Sequence, residues 1–149
     1  AYKTLLKKQR CELHKKVLKY IQAEAYKSSL TTNLFLQLAA EHSELGEEYE
    51  KAVSFYTQSG QLAEEKYAFQ EANRLYTKAI SLLTQKLSPD RTLLGELLQK
   101  RAGASAFLGI YDRAEEDYGK LIKFDSPEVK ISGLIGLANL SEKKSDFSS

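Results

Sequence analysis

Three times in this chain an alanine is followed one helical turn later by a tyrosine: Ala52-x3-Tyr56, Ala72-x3-Tyr76 and Ala114-x3-Tyr118, the last two continued by Ala79 and Leu121. At 100° per residue these positions share one helix face. A small residue lets a neighbouring helix approach closely, the ring one turn on fills the groove beside it, and the third position completes the contact. Each recurrence demands a partner helix, so the pattern commits the chain to helices packed side by side.

The surrounding residues agree on an all-α chain. From Tyr2 to about Gln22 no proline or glycine intervenes, and Tyr2, Leu6, Leu13, Val17, Tyr20 and Ile21 fall on one face, which predicts a leading amphipathic helix with that stripe turned inward. Lys8, Glu12, Lys15 and Lys19 mark its solvated side. The stretch "AEAYKSSLTTN" breaks the pattern, and Thr32 or Asn33 is placed to cap a helix carrying Phe35, Leu38, Ala39 and His42. Gly46 is placed to end that helix in the left-handed conformation. Tyr49, Ala52, Val53, Tyr56, Ala63 and Tyr67 predict a helix over 48–67, with Ser59-Gly60 as a point of kinking or division. Phe69, Ala72, Leu75, Tyr76, Ala79, Ile80 and Leu83 form the clearest stripe. Leu94, Leu97, Leu98, Ala102 and Phe107 predict the next helix, opened by Ser88 as cap with Pro89 in the first turn. Tyr111, Ala114, Tyr118, Leu121 and Ile122 predict another, and Ser126-Pro127 repeats the cap-plus-proline start. The apolar run Val129 to Leu140 is expected to cover the end of the stack. No strand-like alternation competes.

At 149 residues, with 42% hydrophobic and 28% charged residues and two prolines, the chain suits one folded domain. It opens on Ala1, lacks methionine and ends in "SEKKSDFSS", so it reads as a segment of a longer protein. The expected division is a helical-repeat domain over 1–141, with a leading helix over 1–22 and hairpins over 33–141, and a disordered tail over 142–149. No run approaches the roughly 18 uncharged apolar residues of a membrane span. A lone cysteine cannot form an internal disulfide, which fits a cytoplasmic setting. The net charge of +2 conceals an asymmetry: residues 1–20 carry seven Lys or Arg against one Glu, whereas residues 41–71 carry eight Glu against two Lys. Such a division orients neighbouring helices or partners.

Several constellations invite a chemical reading. Cys11 and His14 lie one turn apart, but a structural zinc site takes four ligands and His42 is the only other histidine, so no metal is expected. The basic first helix lacks the interleaved aromatics or recognition-helix pattern of a nucleic-acid reader, so nucleic acid is disfavoured as a partner. No G-x4-G-K-[ST] loop occurs, and no cofactor is expected. Glu47, Glu48 and Glu50, and Glu115, Glu116 and Asp117, open helices, where negative charge stabilises the N-terminal dipole; acid-base catalysis is not needed to explain them. The segment therefore reads as non-enzymatic.

The Ala-x3-Tyr helices resemble the second helices of tetratricopeptide repeats, with Gly109, Tyr111, Ala114 and Tyr118 at that family's turn and second-helix positions and Pro127 near the repeat end. The spacing departs from the regular 34 residues: 20 from Ala52 to Ala72 and 42 from Ala72 to Ala114, which makes the repeats degenerate. Over residues 1–85, Arg10, Glu12, Leu13 and His14, followed by Leu38, Ala39 and His42, resemble the junction where the ATPase region of large signal-transduction ATPases, such as multidomain adenylyl or guanylyl cyclases and related transcription activators, meets its repeats. The resemblance implies a stack of antiparallel hairpins in a regulatory segment. At the places where some tetratricopeptide domains clamp a peptide carboxylate stand Leu36 and Ala40; Lys100 and Arg101 remain as a candidate partner surface. The reading is a protein–protein or interdomain contact module packed through Ala52, Tyr56, Ala72, Tyr76, Ala79, Gly109, Ala114 and Tyr118. The alternatives are an autonomous peptide-binding adaptor and a part of a DNA-binding transcription activator.

Overall fold

The computed structural model describes residues 2–24, 32–88 and 90–148. Among them are seven helices and no strand: α1 (Tyr2–Glu24), α2 (Thr32–Leu45), α3 (Tyr49–Glu65), α4 (Phe69–Lys86), α5 (Arg91–Phe107), α6 (Tyr111–Ile122) and α7 (Pro127–Ser148). Each helix packs chiefly on the ones before and after it, with a further contact between α5 and α7. The short connections within α2–α7 make successive helices antiparallel. The core is one continuous cluster running through the middle of the stack, in which Ala40, Ala52, Ala72, Leu75, Tyr76, Ala79, Leu97 and Leu121 are almost fully buried.

Three of the connections are the same turn. Glu47, Tyr67 and Gly109 adopt left-handed φ values of 58°, 59° and 78°. The next residue's N–H reaches back five residues in each case: Glu48 to Ser43, Ala68 to Ala63 and Ile110 to Ser105, all at 2.8 Å. This is the Schellman arrangement, which satisfies carbonyls orphaned at a helix end. An aromatic residue then opens the following helix (Tyr49, Phe69, Tyr111), and its alanine comes three residues later (Ala52, Ala72, Ala114), donating its N–H to the carbonyl of Glu48, Ala68 or Ile110. The repeated unit thus includes the turn as well as the Ala-x3-Tyr stripe.

Several expectations change. The left-handed residue after α2 is Glu47, not Gly46. Gly46 still sits in a tight place: a β-carbon there would stand 3.1 Å from the His42 carbonyl and 3.2 Å from Lys15 Cγ, where α1 lies against the end of α2. Tyr67 belongs to a turn and is 79% exposed rather than packed. Helix α3 runs unbroken through Ser59-Gly60 because Gly60 receives a ring: an added β-carbon would fall 2.6 Å from Tyr76 Cε1. Gly136 of α7 takes the Tyr118 ring in the same way. Asp90, rather than Ser88, caps α5, accepting from the N–H groups of Thr92 (3.0 Å) and Leu93 (3.3 Å); Pro89 and most of "AEAYKSSLTTN" lie outside the described residues. Where a disordered tail was expected from 142, α7 continues as helix to Ser148.

The largest departure is α1. Among the side chains of α1 whose burial is described, Leu18 and Ile21 are buried, Ile21 as expected, while Leu6, Leu13, Val17 and Tyr20, also expected to face inward, are 40%, 60%, 38% and 67% exposed. Helical periodicity identifies an apolar stripe but not which of two neighbours it meets.

The Gly60–Tyr76 contact gives a direct test. Gly60→Ala should lower stability by up to about 2 kcal/mol: overpacking against a fully buried ring costs about 1–3 kcal/mol, set against a ~1 kcal/mol gain in helix propensity. Gly103→Ala, on the same kind of backbone with nothing within 4 Å of the added carbon, should instead stabilise. Urea unfolding of both variants checks the opposite signs; equal effects would show that the ring does not need the glycine.

Candidate functional site

The residues that carried the sequence pattern are structural. Ala52, Ala72, Ala79 and Ala114 are completely buried, Tyr76 likewise, and Tyr56 is 4% exposed. Tyr118 is half-buried and Gly109 occupies the exposed turn. Their surroundings shift the tyrosines. Burial pushes the Tyr56 phenol well above its usual range, and its hydroxyl donates to Glu44 Oε2 at 2.9 Å, which holds the proton further. Burial does the same at Tyr76, whose hydroxyl lies near the Glu64 carboxylate without a hydrogen bond of ordinary geometry.

Of the candidate partner surface at Lys100 and Arg101, Arg101 is turned away from solvent. Lys100 is half-buried, and Arg101 is 7% exposed, with its guanidinium turned into the stack. Arg101 Nε donates to Asp117 Oδ2 at 2.7 Å and Nη2 to Oδ1 at 2.8 Å, a bidentate pair in which Asp117 is wholly buried. Nη1 reaches Thr77 Oγ1 at 3.5 Å, and nearby Asn73 Nδ2 donates to Ser105 Oγ at 2.7 Å, so a polar row crosses α4, α5 and α6. A signal for it was available: Arg101 falls between Leu97, Leu98 and Ala102, and Asp117 between Ala114 and Leu121, each a charge inside an apolar stripe. Asp117 is therefore an interior ion-pair partner rather than a helix-opening carboxylate.

His14 and His42 do meet. Their Nδ1 atoms are 2.9 Å apart with ring centroids at 5.1 Å, joining α1 to α2. One Nδ1 must carry the proton and the other its lone pair. Lys7 pairs with Glu47 at 3.0 Å at the same junction, where the basic first helix touches the acidic second segment; Glu47 holds the Lys7 ammonium above its usual range, chiefly by hydrogen bonding. Cys11 is half-buried beside them, and among the described residues no three His, Cys, Asp or Glu gather as a metal site.

What the surface offers is grooves. One, of about 230 Å³, lies between α2 and α4 with Tyr56 and Leu75 at its base and Glu41, Glu44, Arg74 and Lys78 around it. Its charges largely answer one another: Lys78 approaches Glu44 at 3.8 Å, and Arg74 grips Glu71 at 2.6 Å. A second, of about 340 Å³, forms where α3, α4 and α5 converge. Val53, Leu83, Leu87 and Leu93 make it apolar, and Glu50 and Asp90 stand at its rim. This groove combines aliphatic side chains with the carboxylates of Glu50 and Asp90, the latter also capping α5, which suits an apolar side chain flanked by cations. Sequence reasoning missed it because its residues come from three helices, with Leu87 and Leu93 on either side of a loop.

Among the described residues no helix is long and apolar enough to cross a membrane. Comparison of the chain with protein-family models, with curated proteins and with solved structures gave no match.

Proposed function

We propose that this chain is a non-catalytic helical-repeat module, stacked in the tetratricopeptide manner, that binds a protein or peptide segment. The groove formed by Val53, Leu83, Leu87 and Leu93 beside Glu50 and Asp90 carries this reading, because it sets four aliphatic side chains next to two carboxylates. Its occupant is a short segment that places a leucine or phenylalanine between lysines or arginines. The recurrence of one turn and one packing stripe supports the repeat architecture. The resemblance of residues 1–85 to the repeat junction of signal-transduction ATPases supports a regulatory role inside such a protein in the cytoplasm, with the bound segment coming from another domain or a partner.

Fluorescence anisotropy with peptides of the form Lys-Lys-Leu-Lys and Lys-Lys-Phe-Lys tests the groove. Saturable binding that weakens with salt is expected, together with its loss in Glu50→Lys and in Leu93→Asp at unchanged helicity. Ala72→Leu and Ala79→Leu, which force a larger side chain into completely buried sites, should remove binding and lower stability by about 1–3 kcal/mol. Absence of saturation for every such peptide, or binding indifferent to Glu50→Lys, would overturn the reading.

A further inference from the structure

We infer that the contact between His14 and His42 is a proton-operated latch. It holds α1 on α2 while the pair carries no more than one extra proton, and releases α1 in mildly acidic solution. The latch lies at the α1–α2 junction, apart from the groove beside Glu50 and Asp90.

The geometry sets how many protons the pair can hold. The Nδ1 atoms are 2.9 Å apart and the ring centres 5.1 Å apart. That separation is close to the nitrogen–nitrogen distance plus the two ring radii, so the nitrogens point at one another along the line of centres. Hydrogen-bonded nitrogens do this, whereas two ligands of one metal ion aim at a third point to the side of that line. Two neutral imidazoles make the bond when one Nδ1 carries a hydrogen and the other keeps its lone pair. A first added proton leaves it intact, because it goes to Nε2 of the donating ring and turns the bond into a charge-assisted one. A second has only the accepting Nδ1 to occupy, and it brings two N–H groups and two positive charges head-on.

The surroundings do not absorb that second charge. On α1, Lys7, Arg10, Cys11 and Lys15 lie within two turns of His14. Lys7 is engaged by Glu47, in the turn after α2, at 3.0 Å, and Lys15 by Glu12 at 3.3 Å. Cys11 and the Tyr49 phenol at the start of α3 stand near Glu47. Glu41 and Glu44 of α2 line the groove over Tyr56 instead. Among the described residues no carboxylate lies within ion-pair distance of either ring. Helix α1 meets the stack chiefly through α2, and of its described side chains Leu18 and Ile21 are the buried ones. Two aliphatic side chains are a small anchor, which gives the imidazole pair a deciding share in keeping α1 docked.

Histidine is the side chain that ordinarily changes charge between about pH 5 and pH 8, so the test spans that range. Amide hydrogen exchange of the full chain, corrected for the intrinsic rate at each pH, reads docking as the protection of α1 amides around Leu18 relative to those of α4. The released pair binds one proton more than the docked pair, so α1 protection should fall by up to about tenfold per pH unit toward acid while α4 protection holds. His14→Gln and His42→Gln should each keep α1 protected at the acid end, because the amide oxygen accepts from the remaining Nδ1–H in either charge state. Wild-type α1 protection that does not change with pH overturns the inference. So does a fall that α4 shares, which is global unfolding, or one that persists in full in both glutamine variants, which assigns it to other groups.

Discussion

Replacing Arg101 by alanine should cost about 3–5 kcal/mol. The magnitude follows from what is left behind. Asp117 is completely buried, and both of its carboxylate oxygens accept from the Arg101 guanidinium at 2.7 and 2.8 Å. Without the guanidinium a carboxylate would remain in the core with no compensating charge. Asp117→Ala should be comparably damaging for the mirror-image reason. Arg101→Lys should fall between, since an ammonium keeps the charge but not the two-pronged geometry. The pair as a unit is another matter: removing two charges from water costs nearly what their attraction returns, so Arg101→Met/Asp117→Leu should regain most of the loss. A double-mutant cycle in urea checks all four chains. Single variants that lose less than about 1 kcal/mol would mean that water reaches the pair in solution.

Alkaline solution should destabilise the fold through Tyr56 and Tyr76. Both phenols are raised by burial from the ordinary value of 10.0, and Tyr56 also by its hydrogen bond to Glu44. The sign follows from proton counts: above pH ~10 the unfolded chain gives up these protons while the folded chain keeps them, so the folded state binds more protons and stability falls as pH rises. Each tyrosine contributes a slope of about 1.4 kcal/mol per pH unit in that window, and none of it below pH ~9. Urea midpoints measured between pH 8 and 11.5 should stay flat and then drop. Tyr76→Phe should make the drop shallower with little loss at pH 8, because the Tyr76 hydroxyl lacks a hydrogen bond of ordinary geometry. Tyr56→Phe should also flatten it, at a cost of about 1–2 kcal/mol at neutral pH for the lost bond to Glu44. A drop equally steep in the Tyr56→Phe/Tyr76→Phe double variant would assign alkaline unfolding to other groups.

How much of this was legible beforehand depends on the kind of information each feature needs. The all-helical class and the helices carrying Ala52, Ala72 and Ala114 were readable because a period of 3.6 is a local property of the chain. The facing of α1 was legible only in part: Ile21 of the expected stripe is buried, but Leu18 joins it in place of Leu6, Leu13, Val17 and Tyr20, and only the position of α2 decides which set is covered. The left-handed residue after α2 was assigned to Gly46 on steric preference, but the helix ends one residue later and Glu47 makes the turn. Glu47 and Tyr67 accept the left-handed conformation because the Schellman hydrogen bonds around them fix it. Arg101 was read as surface because arginine usually is; its place within an apolar stripe, matched by Asp117 in another, was the stronger indication. The groove beneath Glu50 and Asp90 could not have been read, since no single helix contains it.

The neighbour-on-neighbour packing of the seven helices also has a kinetic meaning. Partners such as Gly60 and Tyr76, or Arg101 and Asp117, lie 16 residues apart in sequence, so the loops closed in bringing them together are short. A chain whose contacts are this local can begin to order at more than one hairpin and extend from there without searching distant pairings. Folding on the order of microseconds to milliseconds follows from that topology.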